Sequence, residues 1–219
     1  MTGLPEHPEF ATTFSDWVFK QTYPAAASRE AGDGTQTERM HMGTLGHQTI
    51  IDSICRTENI QRRFLPRDLK PEKFRIVYAD TNTGNDQRTF LASTLRVGGI
   101  PMRCRPDLVL RHQATSAYMI VELKVSALPT RSWSRRDGSV RAFDPDGYPN
   151  NRAQLWAYSK IDDYKDMHPL FLVLQFRDPQ TLQLKHTKVW ACPDPLLEQE
   201  ARGYFEQYSA LFPGPTEAR

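Results

Sequence analysis

Two periodicities divide the chain. In TERMHMGTLGHQTIIDSICRT, residues 37–57, Met40, Gly43, Leu45, His47, Ile50, Ile51 and Ile54 recur at mostly helical spacing, and Thr37 is suited to cap the start. The pattern predicts a largely buried helix. An earlier helix is predicted over ATTFSDWVFKQTY, residues 11–23, followed by the small, polar loop PAAASREAGDGTQ. Beyond the proline-flanked stretch FLPRDLKPEKF the spacing turns to that of strands: FRIVYA (74–79), TFLASTLRV (89–97), IPMRCRPDLVLRH (100–112) and AYMIVELKV (117–125). Gly98-Gly99 marks a tight hairpin turn, so the last three runs are expected as successive strands. Downstream, NRAQLWAYSKIDDYKDM (151–167) is helical in composition, PLFLVLQFRD and LKHTKVWAC are strand-like, and DPLLEQEARGYFEQYSALF is a proline-started helix.

The order helix, strands, helix, strands, helix predicts an α/β or α+β domain with a central mixed β-sheet flanked by helices. Its parts are an N-terminal helix and loop (1–36), a core (37–192) and a C-terminal helix packing on that core (193–219). At 219 residues the chain has the length of one well-buried domain. Apolar residues at 39% and charged residues at 25% fit an ordinary soluble protein. No apolar run approaches bilayer length and the acidic, proline-containing start is unlike a secretion signal, so no membrane association and a cytoplasmic location are expected. The net charge of +2 does not by itself argue for a polyanion partner. Cys55, Cys104 and Cys192 lack the paired spacing of metal sites and are expected as buried free thiols.

Polar residues inside the strands carry the chemistry. On a strand Ile120, Glu122 and Lys124 share one face, while Val121, Leu123 and Val125 share the other. A lone carboxylate there is costly to bury, but one joined by a second carboxylate, a lysine and a cation is satisfied. Asp107 on the preceding strand can supply the second carboxylate, since neighbouring strands lie about 4.8 Å apart. Oxygen ligands suit Mg2+ or Mn2+, and the Lys124 ammonium could orient an attacking water at a phosphate ester. The plain alternative is an exposed sheet face with an ordinary surface ion pair.

The segment ALPTRSWSRRDGSVRAFDPDGYPNN, residues 127–151, lacks periodicity and mixes Arg131, Arg135, Arg136 and Arg141 with Trp133, Phe143 and Tyr148. It is either a solvated loop or a basic, aromatic flap that touches phosphates and stacks on bases.

Pro106-Asp107 followed by Glu122-Leu123-Lys124 resembles the signature of the PD-(D/E)XK nuclease superfamily. Two further elements sharpen the resemblance towards its RecB-like branch: GTLGH, with His47 in the place of the GxxxH histidine, and QLWAY, with Gln154 and Tyr158 matching QxxxY. All occur in the family's order, across about residues 37–192. The resemblance implies a restriction-endonuclease-like core and a Mg2+- or Mn2+-dependent nuclease. Asp107, Glu122, His47 and the Leu123 carbonyl would hold the metal, Lys124 would position the nucleophile, and Gln154 and Tyr158 would complete the site. The paired spacing behind both motifs is physical: Gly43 and His47, like Gln154 and Tyr158, lie one helical turn apart on one face.

Three isolated cysteines cannot supply the four ligands of the iron–sulfur cluster found in some relatives, so none is expected. The P-loop pattern is absent, so unwinding would fall to a partner. Nucleic acid, DNA above all, is the implied substrate, with an exonuclease on ends or single strands favoured; a homo-oligomer or a helicase or recombination partner is compatible. The rivals are a non-catalytic DNA-binding or assembly subunit and an RNA nuclease.

Overall fold

The computed structural model describes residues 5–24, 35–56, 73–81, 88–125, 133–134, 140–141, 148–178 and 180–214, with backbone alone for 35–44, 133–134 and 140–141. Its elements in chain order are α1 (Ala11–Thr22), α2 (Thr35–Arg56), β1 (Phe74–Ala79), β2 (Phe90–Val97), β3 (Ile100–Cys104), β4 (Leu108–His112) and β5 (Tyr118–Val125). The short β6 (Trp133–Ser134) and β7 (Val140–Arg141) precede α3 (Pro149–Tyr158), β8 (Leu170–Arg177), β9 (Leu184–Cys192) and α4 (Pro195–Ser209). No described helix is long and apolar enough to cross a membrane.

A five-stranded mixed sheet runs in the order β1-β4-β5-β8-β9, all neighbours antiparallel except the parallel pair β5 and β8. That parallel pair needs a crossover, and α3 lies within it. The α/β class with a mixed sheet flanked by helices is therefore as expected. Alternation holds as well: Ile120, Leu172, Leu174 and Phe176 enter one apolar cluster with residues of α1, α3 and α4, while Met119, Val121, Leu123 and Val173 enter a second with Ile50, Ile51 and Ile54 of α2. The sheet is thus covered on both faces, α2 lying opposite the other three helices.

The hairpin of β2 and β3 forms where the glycine pair demanded it. Gly98 and Gly99 have φ of 60° and 81°, the left-handed conformations that a two-residue turn of this hand requires at both positions. The expected continuous strand over 100–112, however, breaks at Arg105-Pro106-Asp107. Pro106 has no N–H to donate to a ladder, and here the chain leaves one sheet for another: β3 forms its ladder with β2, with a further bridge from Arg103 to Phe10, and β4 pairs with β1 and β5. The break leaves Asp107 outside both ladders.

Two helices also differ from expectation. The predicted helix over 151–167 begins at Pro149 and stops at Tyr158. Ser159 turns its hydroxyl back to the Trp156 carbonyl at 2.7 Å, and Asp162 accepts from the N–H and hydroxyl of Ser93 at 3.1 and 2.6 Å, which ties the following turns to β2 rather than to a longer helix. The N-terminal helix, α1, belongs to the main core. Phe14 and Val18 are fully buried, Phe14 meets Tyr208 and Phe205 of α4 with ring centroids 5.3 and 5.7 Å away, and the Ser15 hydroxyl donates to the Asn150 carbonyl at 3.0 Å. The C-terminal helix packs on the core as expected, its start capped by the Asp194 carboxylate accepting from Leu197 N–H at 2.9 Å.

The three cysteines are free, but only Cys104 is fully buried; Cys55 is exposed, on the part of α2 that turns away from the sheet.

Close approach of α2 to β5 depends on a missing side chain. A Cβ on Gly46 would lie 3.0 Å from Cγ1 of Val125 and 3.1 Å from Cδ2 of Leu182, whereas one on Gly203 in α4 would meet nothing within 4 Å. Gly46→Val is therefore expected to destabilise by about 1–3 kcal/mol through overpacking. Gly203→Ala should stabilise by roughly 0.5–1 kcal/mol through helix propensity. Urea unfolding of both variants beside the parent checks the pair, and a Gly46→Val protein as stable as the parent would contradict this packing.

Candidate active site

The site lies where β5 ends and β4 begins, at the carboxyl ends of the parallel strands, the usual place for a cleft in such sheets. In the β4–β5 pairing Leu108 stands opposite Val121, which brings Asp107 beside Glu122 and Leu123. One Asp107 oxygen, Oδ2, accepts the Leu123 backbone N–H at 2.5 Å; the other, Oδ1, meets His47 Nε2 at 2.8 Å. Asp107 thereby bridges the sheet and α2, and the GxxxH histidine does reach the carboxylate. The glycine that admits α2 is Gly46, next to His47; the side-chain surroundings of Gly43 lie outside the description.

Across β5, Glu122 and Lys124 project together on the α3 side. Lys124 Nζ donates to Glu122 Oε1 at 2.7 Å and to Gln154 Oε1 at 3.1 Å. The Gln154 amide nitrogen donates to the same Glu122 oxygen at 3.0 Å and to the Tyr158 hydroxyl at 2.7 Å. Tyr158 then donates to the Arg105 carbonyl at 2.9 Å. The plain alternative of an exposed ion pair fails, because Glu122 is 5% exposed and wired into α3. Tyr158 is fully buried, and its phenol closes the network between Gln154 and the Arg105 carbonyl.

The second oxygen of Glu122 decides the chemistry. Oε2 is buried and has no hydrogen-bond partner among the described residues. An unpartnered, desolvated carboxylate oxygen is expensive. Burial first, and then the negative charge of Asp107, push the Glu122 carboxyl up to about 7, against the pull of Lys124 and His47. Burial alone would lower Lys124, but the charge and hydrogen bond of Glu122, with Asp107 and Asp16, outweigh it and hold the ammonium above the ordinary lysine value. Burial likewise works against charge on His47, and the Asp107 hydrogen bond and charge overcome it, so the imidazole is raised. Burial drives the Tyr158 phenol well above its usual range.

Of the expected metal set, His47 bonds the Asp107 carboxylate, Asp107 stands beside Glu122 in the strand register, and Leu123 meets Asp107 through its N–H. Among the described residues no three His, Cys, Asp or Glu side chains are already spaced to hold a metal ion, and His47 and Asp107 bond each other directly. Of the expected substrate-binding residues, Arg131, Arg135 and Arg136 lie outside the described residues, and Trp133 and Arg141 are paired across β6 and β7 in backbone alone. Tyr148 does not extend a flap: it packs edge-on against Tyr23 and Phe176 at 6.0 and 6.4 Å. Three residues come to the rim unforeseen. Asp16 of α1 places its charge within reach of Lys124, and Arg105 and Asp80 pair beside Asp107. No short motif marks them, since each arrives through a long-range contact. Neither the protein-family models nor the curated proteins compared with the chain match it.

The raised Glu122 carboxyl sets a pH dependence. The unfolded chain titrates this group near 4.5 and the folded one near 7, so between these values the native state holds more protons and stability falls as pH rises. The raised His47 adds to the fall. In EDTA, the parent should lose on the order of 2 kcal/mol between pH 5 and pH 7.5. Glu122→Gln should flatten that slope in urea titrations at several pH values; an unchanged slope would show that Glu122 is not protonated on folding.

Proposed function

We propose that the protein is a Mg2+- or Mn2+-dependent nuclease that hydrolyses phosphodiester bonds of DNA, acting on ends or single strands. The observation that carries this reading is the buried, unpartnered Glu122 Oε2 beside a second carboxylate, on a strand whose next same-face residue is lysine. The donor set fits a divalent cation: two carboxylates and an imidazole, with hard oxygen and borderline nitrogen ligands. Asp107, Glu122 and His47 would hold it, exchanging the His47–Asp107 hydrogen bond for ligation. When bound, the ion supplies stabilisation of the negative charge that builds on the phosphate oxygens.

The chain's own residues perform the rest. Gln154 fixes the Lys124 ammonium and the Glu122 carboxylate relative to one another, and Tyr158 fixes Gln154. Lys124 keeps its proton at neutral pH, so it orients a water or hydroxide and offsets negative charge at the phosphorus rather than abstracting a proton. The resemblance to the PD-(D/E)XK superfamily supports the same assignment from the residue order Asp107, Glu122, Lys124, Gln154 and Tyr158. Cleavage with a 5′ phosphate left on the product is the outcome that resemblance implies.

With Mn2+, the purified protein is expected to degrade linear DNA, and EDTA to abolish the reaction. Asp107→Asn and Lys124→Ala should each lower kcat by at least about 10²-fold with the fold retained by circular dichroism. Covalently closed circles and RNA, assayed in parallel, separate end-dependent from internal cleavage and DNA from RNA. Binding without turnover by the parent protein would favour the non-catalytic subunit instead.

A further inference from the structure

Arg105 stands in the link between β3 and β4, two residues before Asp107, and both halves of its surroundings are tied to the active site. Its carbonyl accepts the Tyr158 hydroxyl at 2.9 Å. Its guanidinium nitrogen Nη2 donates to both Asp80 oxygens at 2.8 and 3.0 Å, and the Asp80 backbone N–H in turn donates to the Asp107 carbonyl at 2.8 Å. The Arg105–Asp80 unit is therefore positioned by the same residues that position the proposed metal ligand and the Gln154 network.

What the pair leaves unspent is informative. A guanidinium has five N–H donors in a planar fork, and a carboxylate used purely as a clamp is met by two of its nitrogens in parallel. Here both Asp80 oxygens converge on Nη2. Among the described residues Nε is buried without a partner and Nη1 makes no hydrogen bond, while the side chain remains 32% exposed. Asp80 thus orients a cation whose other donors are unclaimed. Because Asp80, its carboxylate partner, bonds the Asp107 backbone, the Arg105 cation is anchored beside the proposed metal ligand rather than on it.

We propose that Arg105 is a substrate-positioning residue that grips the phosphate next to the one cleaved, with Asp80 holding its guanidinium in place. The inference rests on the nuclease reading for the identity of the polymer, and a single-stranded nucleic acid is the ligand class. A guanidinium suits this task because its fork matches phosphate oxygens.

The test uses the full chain, a single-stranded DNA oligonucleotide, and a series in which one phosphate at a time is replaced by an uncharged methylphosphonate. Binding is read by fluorescence anisotropy in EDTA and turnover with Mn2+. Arg105→Ala is expected to weaken binding and raise KM by about tenfold, with kcat little changed and the salt slope of binding reduced by about one. Arg105→Lys, which keeps the charge, should recover part of the loss. One methylphosphonate position should cost the parent the same factor and cost Arg105→Ala nothing more. Turnover of the p-nitrophenyl ester of thymidine 5′-phosphate, which has no neighbouring phosphate, should fall far less in Arg105→Ala than turnover of the oligonucleotide.

Equal losses on the oligonucleotide and the ester, or a methylphosphonate penalty that persists at every position in Arg105→Ala, would overturn the assignment and leave a structural ion pair. Should Arg105→Ala fail to fold, Arg105→Gln, which keeps most of the side chain without its charge, carries the comparison, and parental affinity, salt slope and methylphosphonate profile in it would overturn the proposal equally. A parent protein that cleaves neither substrate but shows the Arg105-dependent binding would remove the nuclease reading and keep the phosphate site.

Discussion

The Asp107 carboxylate is the joint on which the site depends. One oxygen is held by the β5 backbone at Leu123 and the other by His47 from α2, which covers the sheet face opposite α3. It can serve both because Pro106 breaks the ladder just before it, freeing the side chain from the alternation that governs its neighbours. Without that break Asp107 would face one layer only, and the α2 histidine and the β5 pair of Glu122 and Lys124 would have no common partner.

Around this joint the sheet sorts its residues by charge as well as by hydrophobicity. The α2 face of β5 is purely apolar from Met119 through Leu123, and it anchors a helix whose closest approach needs Gly46. The α3 face is apolar up to Ile120 and then becomes a buried polar network. Lys124 and Gln154 both donate to Glu122 Oε1 and Tyr158 anchors Gln154 to the Arg105 carbonyl, yet the other Glu122 oxygen receives no hydrogen bond among the described residues. A buried ionic group arranged in this way costs stability, and such a cost is commonly met at functional positions.

Much of this was legible in the chain and some was not. Local periodicity located α2 and the strands, the glycine pair specified its hairpin, and the shared face of Glu122 and Lys124 followed from the alternation of a strand. The pairing of Gln154 with Tyr158 followed from helical spacing, and the observed hydrogen bond between them agrees. The change of sheet at Pro106 is not legible because strand-like residues flank it on both sides, Met102 and Cys104 before and Leu108, Val109 and Leu110 after, and only the ladder partners reveal the break. The premature end of α3 depends on Ser93, remote in sequence, and the core role of α1 on Tyr208 and Phe205 near the other end of the chain. Asp80, Arg105 and Asp16 were invisible for the same reason: their meaning lies in partners that no spacing rule connects. The basic segment with Arg131, Arg135 and Arg136 stays an expectation from sequence.

The central claim is that Asp107, Glu122 and His47 form a pocket for one divalent cation beside Lys124. Crystals of the protein soaked in Mn2+ test it most directly through the anomalous-difference map. The account predicts a single strong peak bounded by Asp107 Oδ1, Glu122 Oε2 and His47 Nε2, with the Lys124–Gln154 hydrogen bond kept. A map with no peak there, at a Mn2+ concentration that supports binding elsewhere on the protein, would contradict it.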